Sequence, residues 1–181
     1  MRTISYIMQE GWRRFFQMIV GGQLFSLPGL YYVRWLFYHI SFGIPYNCVI
    51  GYNVVLHRQH GMSSGTFRIG EHCTLADNVK VDYSGGFSMG EHSSLSEGTI
   101  VWTHTHNVLP IDRESPIPTP LTIANNVWCG TGSIILAGTK SIGENSIIEA
   151  GTVVRKRVKK NVIVGGNPMQ IISELPSCMQ N

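Results

Sequence analysis

The stretch IANNVWCGTGSIILAGTKSIGENSIIEAGTVV, from Ile123 to Val154, repeats in units of six. Its large aliphatic residues recur at Ile123, Ile135, Ile142, Ile148 and Val154, with Cys129 in the same phase. Four residues after each comes a small or β-branched residue: Val127, Ser133, Thr139, Ser146, Thr152, Val158. The residue directly before the small one is Asn or Gly at Asn126, Gly132, Gly138, Asn145 and Gly151. A six-residue period matches neither an amphipathic helix nor an alternating strand.

Followed outward, the same phase takes in Ile50, Ile69, Leu75, Val81, Met89, Leu95 and Val101, for thirteen units in all. Such a chain winds round a three-sided prism, three units to a coil. The large residue fills the interior and stacks on its equivalents, and a small residue four places on keeps the narrow section from overfilling. Asn and Gly serve the corners because they enter the left-handed backbone region at little cost. The predicted class is therefore all-β, a parallel β-helix over 47–172. It is preceded by a helical, aromatic-rich segment at 1–46 and followed by a tail at 173–181.

The period breaks twice. From Val101 to Ile123 there are 22 residues where three units need 18, and Asn107 to Pro120 holds four of the eight prolines. Proline has no N–H for the ladder, so 107–120 is expected to leave the prism as a stiffened loop. The step from Ile135 to Ile142 carries one extra residue, expected as a bulge at Lys140-Ser141.

Residues 1–46 carry twelve of the eighteen aromatics, four of the fourteen Lys/Arg and one acid, Glu10. The uncharged run Phe15 to Val33 is interrupted by Gln17, Gly21-Gly22, Gln23 and Pro28, which disfavours a spanning helix. Two short helices near 5–20 and 28–40 are predicted. They plug the open end of the prism, lie against a membrane with their Trp and Tyr at the interface, or do both. Glu10 and the lack of a small-x-small cleavage site argue against a signal peptide. With 43% hydrophobic and 14% charged residues the chain is neither disordered nor multi-spanning, and a net charge of +3 does not suit a nucleic-acid binder. Cys48, Cys73, Cys129 and Cys178 fit no zinc or disulfide spacing and are read as free thiols in a reducing compartment.

The repeats, with Thr122 to Gly130, Ile142-Gly143-Glu144-Asn145-Ser146 and the closing Gly166-Asn167-Pro168, resemble the hexapeptide-repeat, left-handed parallel β-helix acyltransferases. That family includes maltose, galactoside and glycan O-acetyltransferases. The resemblance implies acetyl-CoA as co-substrate, a homotrimer with sites between subunits, and a histidine general base. It implies no metal and no nucleic acid.

The histidines before the loop are His104 and His106. The six-residue register runs unbroken from Met89 through His106, so His104 takes a corner, Thr105 points inward and His106 falls on the outer face. His106 is thus the expected general base, matching the family's histidine, with His104 in an orienting or acceptor-contacting part. A neutral imidazole can take the proton of a sugar hydroxyl as it attacks the thioester. The resemblance places an acceptor-binding carboxylate near Asp82, the oxyanion-binding backbone N–H at Thr131, and Trp128 near the pantetheine end or at a subunit contact. Ala150 leaves room for the pantetheine arm. The run Arg155, Lys156, Arg157, Lys159, Lys160 is either a solvated face or an attraction for CoA phosphates, with Lys156 at the family's usual position. Two features depart from the family: Met169-Gln170 follow Pro168 where Ala and a cation are usual, and Glu149 stands where Gly is usual.

The expected function is acetyl-CoA-dependent O-acetylation of a sugar in bacterial surface polysaccharide biosynthesis, in the cytoplasm or at the inner face of its membrane. The alternatives are a small soluble acceptor (sugar, serine or antibiotic), a non-catalytic trimeric scaffold, and a zinc enzyme like the β-helical carbonic anhydrases. For the last, His72 and His92 occupy corners and no His-x4-His spacing accompanies His106.

Overall fold

The computed structural model describes residues 2–59, 62 and 65–176. Two helices, α1 (Arg2–Val20) and α2 (Tyr31–Phe42), precede a left-handed β-helix whose short strands stack into three parallel faces. The first face stacks Val49–Ile50, Thr74–Leu75, Ser94–Leu95, Trp128–Cys129, Ile147–Ile148 and Val162–Gly165, and the strand Gln170–Glu174 folds back antiparallel on the last of these. The second stacks Val55–His57, Lys80–Asp82, Ile100–Val101, Ile134–Ile135 and Val153–Val154. Phe67–Ile69, Phe87–Met89, Leu121–Ile123 and Ser141–Ile142 make the third.

The period explains the core. Twelve of the thirteen phase-setting residues are buried, and Ile69 packs partly buried against them. Equivalent residues sit in register across neighbouring coils, as in Leu75 with Leu95 and Leu95 with Cys129. The small residues Ser93, Thr99, Ser133, Thr139, Ser146 and Thr152 are buried too, and Ser93 and Ser146 donate to the carbonyls of Ala124 and Lys159. A hydroxyl at this position therefore fills the narrow interior and still finds an acceptor.

The corners take left-handed backbone at Asn53, Asn78, Asn126 and Asn145 and at Gly98, Gly132 and Gly151. His72 and His92 occupy equivalent corners with φ of 56° each, and their rings stack at 4.8 Å. The extra residue after Ile135 is absorbed by a 3-10 turn at Ala137–Thr139 that ends on a left-handed Lys140, in place of a strand bulge. Cys48, Cys73 and Cys129 are buried free thiols, and burial pushes Cys129 up to about 12. Cys178 and the expected tail from 177 onward lie outside the described residues. Residues 173 and 174 complete the strand Gln170–Glu174.

The N-terminal helices close the open end. A β-helix ends on strand edges whose N–H and C=O groups lack partners. The buried Gln17 side chain supplies them like one peptide of a missing coil: its Nε2 donates to the Leu56 carbonyl at 2.9 Å and its Oε1 accepts from the Leu56 N–H at 2.8 Å. The Tyr38 hydroxyl donates to the Val54 carbonyl, and the Asn53 N–H donates to the Gly21 carbonyl at 2.6 Å. Replacing Gln17 by alanine leaves a buried donor and acceptor unpaired. The expected loss is about 1–3 kcal/mol of stability, to be read by denaturant unfolding of Gln17→Ala against the parent chain.

Candidate active site

After Val101 the chain stops winding. His104–His106 pairs antiparallel with Pro116–Pro118 in a two-stranded ribbon that leaves the prism, with Pro118 opposite His104 and Pro116 opposite His106. A strand with two prolines suits such an edge, where one side needs no donors. The excursion therefore begins at His104, three residues before the expected loop. At its base the Thr119 N–H donates to the Thr103 carbonyl at 2.8 Å and the Gly85 N–H to Thr103 Oγ1 at 2.8 Å. Gly85 has no room for a side chain, since a Cβ there would lie 1.9 Å from the Thr103 oxygen.

This geometry corrects the register expected for 102–106. Thr105 is exposed, and the inward place is taken by Thr103, which is fully buried. The chain runs straight on from Val101 instead of turning at a corner. Two-residue alternation from buried Val101 carries the inward side to Thr103, whereas Thr105 already stands on the ribbon that has left the prism and is exposed. The six-residue register therefore does not set His106 apart from His104.

Beneath the ribbon, Asp82 is fully buried on the second face. Its Oδ2 accepts from His104 Nδ1 at 2.7 Å and from the Thr103 N–H at 3.0 Å, and its Oδ1 accepts from the Ser84 N–H at 3.1 Å and the Ser84 hydroxyl. Burial works to raise its pKa, but the hydrogen bonds from Ser84, His104 and Thr103 outweigh it and hold the carboxyl below its usual range. An ionised carboxylate only accepts, so His104 Nδ1 is the donor, and the tautomer this selects has its lone pair on Nε2. His104 is a buried-anchored imidazole whose tautomer is set by its partner.

His106 is oriented more weakly. Its Nδ1 lies 2.7 Å from the Arg113 carbonyl within the same arm, and the residue is exposed. The two rings meet edge to face at 5.3 Å, and Trp102 meets His104 edge-on at 5.8 Å. His57 faces Asp82 across neighbouring strands and meets Trp102 edge-on at 6.2 Å. Burial pushes the His57 pKa down, Asp82 notwithstanding, and its Nδ1 is buried without a hydrogen bond. His57 and Thr103 escape a reading by motif, because only the coil-to-coil stacking brings them to Asp82, whereas Ser84 lies two residues along from it.

His104 and His106 open onto a cavity of about 770 Å³, whose far wall is Leu136, Ala137, Gly138 and Arg155. The structure therefore gathers His104, His106 and Arg155 in one place, with Asp82 behind. It does not bring the rest there. Trp128 stands exposed on the first face, its Nε1 donating to Ser96 Oγ at 2.8 Å. Thr131 and Ala150 are exposed at the corner between first and second faces, where the Gly151 N–H donates to the Thr131 carbonyl at 2.8 Å. Lys156 is exposed next to Arg155, outside the cavity wall. Glu149 lies over Gly165, where a Cβ would meet its Oε2 at 2.1 Å. Among the described residues, no group of three or more His, Cys, Asp or Glu is placed to hold a metal ion.

No family model matches the chain. A galactoside O-acetyltransferase of Escherichia coli is 45% identical over 56 residues, 31% of this chain and 27% of that relative. The matched stretch thus spans about a quarter of the relative's length. In fold, a maltose O-acetyltransferase from Clostridium difficile 630 superposes with a TM-score of 0.81 at 21% identity, over 94% of this chain and 88% of that one. A hexapeptide-repeat-containing acetyltransferase from Vibrio cholerae O1 biovar eltor, complexed with acetyl coenzyme A, gives 0.74 at 23% identity, over 93% and 88%. Joined to the six-residue repeat and the three-faced coil, these likenesses show that the chain has the left-handed β-helix fold seen in hexapeptide-repeat acetyltransferases.

Proposed function

We propose that the protein transfers an acetyl group from acetyl-CoA to a sugar hydroxyl, with His104 as general base. The observation that carries this reading is the Asp82–His104 pair: a buried carboxylate fixes the proton on Nδ1, and the ring borders an open cavity. Nε2 takes the hydroxyl proton as the sugar oxygen attacks the thioester carbonyl. The tetrahedral intermediate then collapses, breaking the carbon–sulfur bond, and the imidazolium returns the proton to the CoA thiolate. Asp82 offsets the imidazolium charge while it lasts. This assignment replaces His106, which the sequence favoured, as the base. His106 keeps a part in positioning the acceptor.

Arg155 in the cavity wall, with exposed Lys156 and Arg157 beside it, offers cations to the CoA phosphates. Trp128, Thr131 and Ala150 lie on other parts of the prism. A site that uses them together with His104 is completed by another copy of the chain, which fits a homotrimer. The acceptor class is a sugar of a surface glycan assembled on a lipid carrier.

Calorimetric titration of the full chain with acetyl-CoA tests the donor. Saturable binding near one molecule per subunit is expected, followed by thiol release when sugar acceptors are added. Absence of binding makes Gln170 and Glu149 disabling departures and overturns the reading.

A further inference from the structure

Of the two N-terminal helices, α1 carries its polarity the opposite way round from a helix packed on an apolar core, and α2 leaves a second apolar face exposed. In α1, residues four and seven apart share a face. The face toward the β-helix is mostly polar: Glu10 and Gln17 are buried, with Val20 at its end, and Arg14 donates to the Arg58 carbonyl at 2.8 Å. The opposite face is Met8, Trp12, Phe15, Phe16 and Ile19, all exposed, Trp12 at 58%. In α2, Arg34 and Tyr38 are buried and Phe37 and Phe42 pack partly buried against the core, while Tyr32, Val33, Leu36 and Ile40 are exposed, Ile40 at 73%. Phe16 of α1 and Phe37 of α2 lie 6.1 Å apart, so the two helices adjoin.

The inversion has a physical cause on the inner side. The open end of a β-helix presents backbone N–H and C=O groups, so the capping helices turn Gln17 and Tyr38 inward to satisfy them. A cap that faces water is then expected to be polar outside. This one is not, and an apolar surface of this extent marks an interaction site.

We propose that the outer face of α1 and α2 lies on an anionic phospholipid bilayer. Charge decides for lipid. The single acid of the segment, Glu10, is turned inward and held by Arg58 at 2.5 Å and Arg13 at 3.3 Å. No Asp or Glu occurs from 11 to 70, so nothing there repels an anionic surface, and residues 1–46 carry four Lys/Arg against the one inward-turned acid. Trp12, Tyr32 and Tyr46 are exposed aromatics of the kind that favour the headgroup region. Among the described residues no helix is long and apolar enough to cross a membrane, so the contact is one of lying on the surface. The inference stands apart from the acetyl-transfer reading and would survive its failure.

Flotation of the full chain with phosphatidylglycerol-containing vesicles tests it, beside pure phosphatidylcholine vesicles. The chain is expected to float with the anionic vesicles and far less with the neutral ones. The double variant Ile19→Glu/Ile40→Glu places two carboxylates in the contact and is expected to cut binding at least about tenfold, with melting temperature and acetyl-CoA binding unchanged. A parent chain that stays at the bottom of the gradient overturns the proposal, as does a variant that floats equally well. A parent chain that does not float but forms larger assemblies than the variant in light scattering would show the face covered by further copies, and also overturns it.

Discussion

Replacing His104 by alanine is expected to lower the acetyl-transfer rate by about 10²–10⁴-fold, the usual contribution of a positioned general base. The acetyl-CoA dissociation constant should stay where it was, because the ring acts on the acceptor proton and not on the CoA phosphates. Asp82→Asn should fall between His104→Ala and the parent. An amide at that position can donate as well as accept, so it no longer holds the His104 proton on Nδ1, and the lone pair is not kept on Nε2. His106→Ala should cost less than either, and its effect should appear in KM for the sugar. The comparison discriminates sharply. If His106→Ala abolishes turnover and His104→Ala leaves it within a few-fold, the base is His106 and the Asp82–His104 pair is structural.

The second large effect expected is on stability. Leu95 is fully buried at the centre of the first face, in register with Leu75 in one neighbouring coil and Cys129 in the other. Leu95→Ala removes contacts to both coils and leaves a cavity between close-packed layers. Such truncations cost about 2–5 kcal/mol, and each kcal/mol lowers the melting temperature of a chain this size by about 2–4 °C. Val49→Ala is the matched control, because Val49 lies on the same face, points outward and is exposed. It should change stability by no more than about 0.5 kcal/mol. Equal effects from the two substitutions would mean that the inside and outside of the first face had been exchanged.

The sequence by itself determined the coil. Its period, interior residues and corners were legible because each is set within six residues: whether Leu95 points inward follows from its own strand, and a left-handed Asn78 follows from the turn it makes. Pro110, Pro116, Pro118 and Pro120 likewise announced that the chain leaves the prism, since a missing N–H is a property of one residue. The tertiary structure decided the rest. Asp82 and His104 are 22 residues apart and meet because the ribbon turns straight on from Val101, which a six-residue register does not foresee. Gln17 and Leu56 are 39 apart, and their pairing decides which side of α1 faces inward. Hydrophobic patterning taken alone would have buried Trp12, Phe15 and Phe16. The end of a β-helix offers backbone hydrogen-bonding groups in place of an apolar surface, and only the assembled coil shows that the polar side of the helix must meet it.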